Sequence, residues 1–128
     1  MSASPPLPTS IKLHRKRRIL ALDYANGEQL ELDAEYLRVY SPSAEVRGHG
    51  PGQEVLQWGK KEVAIDRIAA VGNYALQIFF DDSHDTGIYS WDYLYQLGSN
   101  RSQNWREYLQ RLEAAAKSRD PSVQILKL

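Results

Sequence analysis

Cysteine is absent from the 128-residue sequence. That absence excludes disulfides, thiolate metal sites, cysteine nucleophiles and iron–sulfur clusters held by cysteine. The sequence also lacks any apolar run near the ~20 residues that a membrane-spanning helix needs. Its amino-terminal residues contain no apolar segment typical of a signal peptide. These absences make a cytoplasmic protein without a membrane anchor the expectation.

The motifs of several common catalytic classes are incomplete. The stretch from Gly52 to Lys61 has six residues between its glycines and no hydroxyl residue after its first lysine, so it does not match a phosphate-binding loop. No histidine is followed two positions later by a carboxylate, the pair that non-haem iron oxygenases use. The nucleophile-elbow pattern Gly-x-Ser-x-Gly is also missing. The sequence therefore predicts a protein that is not an enzyme.

The composition fits one small globular domain. Apolar residues make up 42% and charged residues 25% of the sequence, and 16 basic side chains balance 16 acidic ones. Five of the basic residues lie within Lys12–Arg18, which leaves 11 basic against 16 acidic residues from Ile19 onward. A flexible, solubilising leader is the simplest interpretation of this basic segment, and docking on an anionic partner is the alternative.

Local patterns predict an α+β domain with a small, mainly antiparallel sheet, an N-terminal β-hairpin and two C-terminal helices packed on the sheet. Strand-like runs on both sides of Asn26-Gly27 predict the hairpin, with a type I′ turn. Asp33 is expected to cap a short helix that turns Leu37 inward. Ala75–Phe80 is typical of an apolar strand, and a polar turn leads from it into a returning strand.

The C-terminal helices are predicted from capping residues and apolar spacing. Ser90 as the N-cap and Gly98 as the stop signal frame a helix over Trp91–Leu97. A second helix is expected over 102–117, with an apolar stripe of Trp105, Tyr108, Leu109, Leu112 and Ala116. The predicted organisation is a disordered tail at 1–11, one domain at 12–118 and a C-terminal extension at 119–128, of which 123–128 would pack back as a short strand.

Four potential metal ligands lie close together in the sequence. Asp81, Asp82, His84 and Asp85 supply carboxylate and imidazole groups within five positions. Adjacent side chains in a turn point apart, however, and a calcium-binding loop needs a longer alternating pattern that ends in glutamate. A solvated hairpin turn is therefore the favoured interpretation, and a metal site that uses Asp82, His84 and Asp85 is the alternative.

Tyrosine is abundant, with eight residues in the sequence. Tyrosine rings usually pack in the core with the hydroxyl at the surface, and tyrosine and tryptophan also anchor protein interfaces. The loop Gly48–Gly52 is rich in residues that break regular structure, so we expect it to be mobile. Because loops carry specific function more often than cores do, the predicted interaction surface consists of His49, Gly50, His84, Trp91 and Tyr93.

Several strings of residues together point to a known family. They are Leu37-Arg38, the stretch from Pro42 to Gly50, the stretch from Val71 to Ala75 and, most specifically, His84-x-Thr-Gly-Ile-Tyr-Ser-Trp91. These strings resemble a bacterial domain of unknown function that is related to the amino-terminal domain of gamma-butyrobetaine hydroxylase. The resemblance runs from about Leu13 to Gly98.

The resemblance implies that related domains bind a metal ion. In the full hydroxylases the related domain precedes a catalytic domain that uses iron and 2-oxoglutarate, and it holds a structural zinc through three cysteines and one histidine. Those positions fall on Ser41, Ser43, Val46 and His84 of this sequence. One imidazole does not provide the four ligands of a closed zinc site. We therefore expect no cofactor, no oxygenase activity in this chain, and a core that stabilises the fold in place of the metal.

The resemblance also extends to modules fused to P-loop ATPases that carry iron–sulfur clusters. The resulting hypothesis is a non-catalytic binding or adaptor domain with protein partners, linked to iron–sulfur or oxygenase systems. A metal-binding accessory subunit of a 2-oxoglutarate oxygenase is one alternative. Weak nucleic-acid binding through Lys12–Arg18 is another, which the acidic remainder of the chain disfavours.

Overall fold

Two three-stranded antiparallel sheets and four helices make up residues 7–128, which a computed structural model describes. The first sheet has the order β1-β2-β3 and the second has the order β4-β5-β6, so strands adjacent in sequence are paired. In chain order the elements are β1 (Pro8–His14), β2 (Ile19–Tyr24), β3 (Gln29–Asp33), α1 (Ala34–Val39), α2 (Ala44–Arg47), β4 (Ile65–Val71), β5 (Ala75–Phe80), β6 (Gly87–Ser90), α3 (Trp91–Ser99) and α4 (Arg101–Ala114).

The predicted α+β class, the antiparallel pairing and the two C-terminal helices are confirmed, and the strands divide into two sheets. The β2–β3 hairpin is also confirmed, but its predicted turn type is wrong. Of the two turn residues Asn26 and Gly27, only the glycine has a positive φ, at 87°. The Gly27 N–H donates to the Tyr24 carbonyl oxygen at 3.0 Å, and the Tyr24 N–H donates to the Glu28 carbonyl oxygen at 2.9 Å. The connection is therefore a three-residue loop in which the glycine forms a bulge.

The predicted disordered tail is wrong for residues 8–11, and its residues 1–6 lie outside the described residues. Strand β1 pairs with β2 from Pro8 to His14, because proline is tolerated as the first residue of an edge strand. The Ser10 hydroxyl adds a 2.7 Å hydrogen bond to the Asp23 carboxylate of β2. The basic segment is thus part of a hairpin rather than a flexible leader, and residues 15–18 form the turn of this hairpin.

Both predicted helix N-caps are confirmed. The Asp33 carboxylate accepts a hydrogen bond from the Tyr36 N–H at the start of α1, and the Ser90 hydroxyl accepts one from the Tyr93 N–H at the start of α3. These side chains satisfy N–H groups that have no partner within the helix.

Gly98 does not end α3, so the predicted stop is wrong. The helix continues to Ser99, and Asn100 is its C-cap. A Cβ atom at Gly98 would lie 2.6 Å from the Leu30 Cδ1 atom of β3. The glycine therefore serves the close packing of α3 on the first sheet.

The second C-terminal helix is shorter than predicted. Helix α4 ends at Ala114, and Ala116 has a positive φ of 55° that is incompatible with continuation. Tyr108 and Leu112 are buried as expected, but the Leu109 side chain is 40% exposed because it lies beside the buried stripe.

The main core joins both sheets to α1 and α3. All six residues of α1 are buried, which is unusual because they include Glu35 and Arg38. The buried carboxylate of Glu35 is paired with Arg119, whose Nε and Nη2 atoms donate to its two oxygens at 2.8 and 2.7 Å. This bidentate contact joins the segment after α4 to the centre of the molecule.

Residues 123–128 form no strand, so that prediction is wrong. Ile125 is 42% and Leu126 is 70% exposed, and neither belongs to the core clusters. None of the helices found in residues 7–128 has both the length and the apolar character needed to cross a bilayer.

Replacing Arg119 with alanine is expected to lower the free energy of unfolding by about 2 kcal/mol, because it leaves the buried Glu35 carboxylate without its partner. Urea denaturation measures the effect. Arg106→Ala is the matched control, since Arg106 is exposed on α4. Equal losses in the two variants would contradict a stabilising role for the ion pair.

Candidate functional site

Two serines and one histidine form a hydrogen-bonded cluster at the end of α1. The Nε2 atom of His84 lies 2.8 Å from the Ser41 Oγ atom and 3.3 Å from the Ser43 Oγ atom. The Ser43 N–H also donates to the Ser41 Oγ atom at 3.3 Å. Both serines are buried. Residues 41 and 84 lie far apart in the sequence, and the packing of the β5–β6 turn against the end of α1 brings them together.

Burial and the nearby Arg38 guanidinium favour the neutral form of His84. Partial burial and the nearby Arg38 guanidinium hold the pKa of His84 below its ordinary value of 6.5; Lys60 acts in the same direction and the carboxylates of Glu45 and Asp82 oppose it. A neutral imidazole is suited to hydrogen bonding with two hydroxyl groups.

Asp82 forms an ion-pair network next to this cluster, and its Oδ1 atom accepts a hydrogen bond from the His84 backbone N–H at 3.2 Å. Its Oδ2 atom accepts hydrogen bonds from the Arg38 Nε atom at 2.9 Å and from the Lys60 Nζ atom at 2.7 Å. Burial acts to raise the pKa of Asp82, but Lys60 and Arg38 outweigh it and lower the pKa. The carboxylate is therefore committed to two cations.

The donor set at the serine–histidine cluster does not fit a structural zinc ion. Ser41, Ser43 and His84 converge at the positions that the family resemblance assigns to zinc ligands, but neutral hydroxyl groups lack the negative charge of thiolates, and Val46 has no donor atom. Structural zinc sites use four sulfur, imidazole or carboxylate ligands. Within residues 7–128, no group of three histidine or carboxylate side chains is arranged to hold a metal ion.

A groove of about 500 Å³ lies beside this cluster, between the Gly48–Gly52 loop, the end of α1, α3 and α4. We call it the loop groove. The residues that give it its chemical character are Tyr40, Arg47, His49, Glu54, Tyr93 and Arg111.

Hydrogen bonds and stacking give the loop groove a defined wall. The Tyr93 hydroxyl donates to the Tyr40 carbonyl oxygen at 2.6 Å, and the Arg47 guanidinium carbon lies 5.0 Å from the centre of the Tyr93 ring. Burial raises the pKa of Tyr93, so its hydroxyl remains a hydrogen-bond donor at neutral pH.

The loop itself is held at its base. Gly48 has a φ of 72°, and a Cβ atom there would lie 1.9 Å from the Gln53 carbonyl oxygen, so only glycine fits. The Val55 N–H donates to the Val46 carbonyl oxygen at 2.8 Å and closes the loop.

The structure brings together three of the five predicted surface residues. His49, Gly50 and Tyr93 line the loop groove, whereas the His84 imidazole faces the two serines. Trp91 lies elsewhere, because its Nε1 atom donates to the Asn73 carbonyl oxygen at 2.9 Å in the β4–β5 turn.

Sequence reasoning missed the two arginines of the loop groove. Arg111 lies on α4, and Arg47 lies on α2, 64 positions earlier. No local pattern links the two positions, since only the docking of α4 beside the loop brings them to one groove.

The basic segment Lys12–Arg18 is partly neutralised by the domain's own carboxylates. Ion pairs connect Lys12 to Asp23 at 3.7 Å, Arg17 to Glu31 at 3.7 Å, and Arg18 to Glu62 at 3.1 Å. Exposed pairs of this kind contribute little stability, but they reduce the positive charge available to an anionic partner.

The fold and the cluster define a small α+β domain with a buried serine–histidine cluster at the end of α1. The chain belongs to the family described as gamma-butyrobetaine hydroxylase-like, N-terminal, whose model matches residues 11–95. This match confirms the resemblance found in the sequence.

Three solved structures are similar to this chain. A protein studied by NMR in solution is 46% identical, with 98% of each chain covered and a TM-score of 0.83. A second NMR structure is 50% identical and covers 100% of this chain and 98% of its own, with a TM-score of 0.78. A crystal structure from Acidithiobacillus ferrooxidans, of a protein with unknown function in the DUF971 family, is 33% identical over 75% of this chain and 98% of its own, with a TM-score of 0.62. No curated protein matches the chain.

The low pKa of folded His84 predicts that acid weakens the fold. Above the unfolded imidazole's pKa of 6.5 the contribution of His84 to stability is fully present, and it is lost as the pH falls from 6.5 towards the lower folded pKa. Urea denaturation at about pH 7.5 and about pH 5.5 measures this change in the free energy of unfolding.

His84→Asn is expected to show a smaller decrease in stability between the two pH values than the wild-type protein. His49→Asn is the control, because His49 is exposed and should leave the decrease unchanged. An undiminished decrease in the His84 variant would contradict the role assigned to the cluster.

Proposed function

We propose that this protein is a non-catalytic binding module that engages a protein partner through the loop groove. The observation that carries the proposal is the convergence of His49 and Tyr93, which the sequence marked as interaction residues, with Arg47 and Arg111 around one groove of about 500 Å³. Tyrosine and arginine are the side chains that most often anchor protein interfaces.

The state of the polar groups beside the loop groove supports a binding role rather than a catalytic one. The Ser41 side chain is only 1% exposed and its hydroxyl is engaged with His84 and the Ser43 N–H. Among the hydrogen bonds of residues 7–128, none orients the His84 ring through a carboxylate, as a catalytic triad requires. The Tyr93 hydroxyl donates its hydrogen bond to the Tyr40 carbonyl oxygen.

The family suggests the setting in which such a module would act. Related domains precede iron-dependent hydroxylase domains or are joined to ATPases that carry iron–sulfur clusters, and the proposed partner is a protein of one of these systems. The donor set of the serine–histidine cluster gives less support to the metal-binding alternative, and the internal ion pairs of Lys12–Arg18 give less support to the nucleic-acid alternative.

The proposal predicts that a groove variant loses a partner that the wild-type protein holds. Affinity capture from the native cell should recover a defined protein with wild-type bait, and the same partner, once purified, should bind the bait by calorimetry. The double variant Arg47→Ala/His49→Ala should weaken that binding at least tenfold, as expected for the loss of interface anchors. Both side chains are exposed, so the fold should be preserved.

A matched variant on another surface makes the result specific. Lys16→Ala/Arg17→Ala removes two exposed basic side chains from the β1–β2 turn, just as the groove variant removes Arg47 and His49. This control variant should bind the partner as the wild-type protein does. Equal binding by the groove variant and the wild-type protein would contradict the proposal. Stoichiometric zinc or iron in protein purified without chelators would favour the metal-binding alternative instead.

A further inference from the structure

Among the residues that the structure describes, neither arginine of the loop groove forms an ion pair with a carboxylate. Ion pairs within 4.0 Å account for seven basic residues among positions 7–128, and neither Arg47 nor Arg111 is one of them. Both side chains are exposed, and both line the same groove. Other arginines of the domain form internal ion pairs, as Arg38 does with Asp82 and Arg119 does with Glu35.

Apolar surface lies between and around these two cations. The Arg47 guanidinium stacks over the Tyr93 ring, and Tyr40, Val46 and Pro51 contribute further apolar lining. A ligand that fills the groove must therefore offer negative charge next to apolar or backbone atoms. A peptide with acidic side chains has this combination, because its carboxylates are separated by a carbon chain and a backbone.

One carboxylate of the protein already lies in the loop groove. Glu54 lines it, and its pKa is lowered by backbone hydrogen bonding, with a smaller contribution from the Arg111 guanidinium. An incoming carboxylate would compete with Glu54 for the positive charge of Arg111.

We propose that the loop groove recognises an acidic peptide segment of the partner protein, with Arg47 and Arg111 binding its carboxylates and Glu54 occupying part of the anion site in the free protein. This inference rests on the proposed function and adds the chemistry of the partner. A nucleic acid is a poorer occupant, since its recognition favours a basic face, whereas the chain from Ile19 onward has 11 basic against 16 acidic residues.

A synthetic peptide tests the inference without knowledge of the natural partner. The probe is a fluorescein-labelled, end-blocked peptide of alternating glutamate and alanine, and the matched control peptide has glutamine in place of every glutamate. Fluorescence anisotropy should show binding of the glutamate peptide to the full-length protein and at least tenfold weaker binding of the glutamine peptide. High salt should weaken the binding of the glutamate peptide.

Three single substitutions in the groove and one control outside it assign the binding to the groove. Arg47→Ala and Arg111→Ala should each lower the affinity for the glutamate peptide about tenfold. Arg106 lies on α4, as Arg111 does, but outside the groove, so Arg106→Ala should leave this affinity unchanged. Glu54→Gln should raise the affinity for the glutamate peptide roughly two- to fivefold, because the substitution removes the competing negative charge.

The outcomes separate this inference from the proposed function. Equal affinity for the two peptides, or no effect of Arg47→Ala and Arg111→Ala, would overturn the acidic-peptide assignment even if the groove variant loses its cellular partner. Tighter binding of a single-stranded oligothymidylate at the same arginines would overturn it in favour of nucleic acid. If cellular capture does not depend on the groove, the proposed function itself fails.

Discussion

The buried helix α1 imposes the constraint on which the rest of the structure depends. Its last carbonyl groups have no partner within the helix, and because the whole helix is buried, water is not available to bind them. Tyrosine hydroxyls from the other half of the chain satisfy one of them and the carbonyl group of Tyr40, the residue that caps the helix. The Tyr89 hydroxyl donates to the Leu37 carbonyl oxygen, and the Tyr93 hydroxyl donates to the Tyr40 carbonyl oxygen. Each bond spans more than 50 residues of sequence.

The same arrangement recurs with other tyrosines. Tyr36 donates to the Leu97 carbonyl oxygen, Tyr40 to that of Asn104, and Tyr108 to that of Gln57. Burial raises the pKa of Tyr36 to about 12, so its hydroxyl stays protonated and able to donate. These directional bonds fix α1 relative to α3 and α4, whereas apolar contacts alone would fix the distance between elements more strongly than their orientation.

The candidate site follows directly from this placement. The chain leaves α1 through Tyr40, enters the serine–histidine cluster at Ser41 and Ser43, and then forms one wall of the loop groove at Arg47. The Tyr93 side chain that binds the Tyr40 carbonyl oxygen also supports the Arg47 guanidinium. The groove is therefore built on a part of the fold that these long-range hydrogen bonds connect, although its loop lies at the surface.

Sequence patterns predicted the features that local physical chemistry determines. The caps at Asp33 and Ser90 and the β2–β3 hairpin depend on a few neighbouring residues, whereas the meeting of Ser41, Ser43 and His84 was not predicted. The predictions that were wrong failed because of packing between elements that are distant in the sequence. Gly98 is typical of a helix end but is required for packing against Leu30.

Other features had no local signal at all. The pairing of Glu35 with Arg119 joins residues 84 positions apart, and the meeting of Arg47 and Arg111 depends on how α4 docks. The pairing of Pro8–His14 with β2 was hidden by the prolines and the basic run on either side of it. Such contacts depend on the arrangement of whole elements, which short patterns do not encode.

Removal of the Tyr89 hydroxyl tests the central claim most directly. The free energy of unfolding of Tyr89→Phe should fall by about 1–3 kcal/mol, because the Leu37 carbonyl oxygen stays buried without its donor. Tyr74→Phe is the control, since the Tyr74 side chain is 60% exposed, and its stability should equal that of the wild-type protein. If Tyr89→Phe unfolds at the same urea concentration as Tyr74→Phe, the tyrosine hydroxyls do not hold α1 in place.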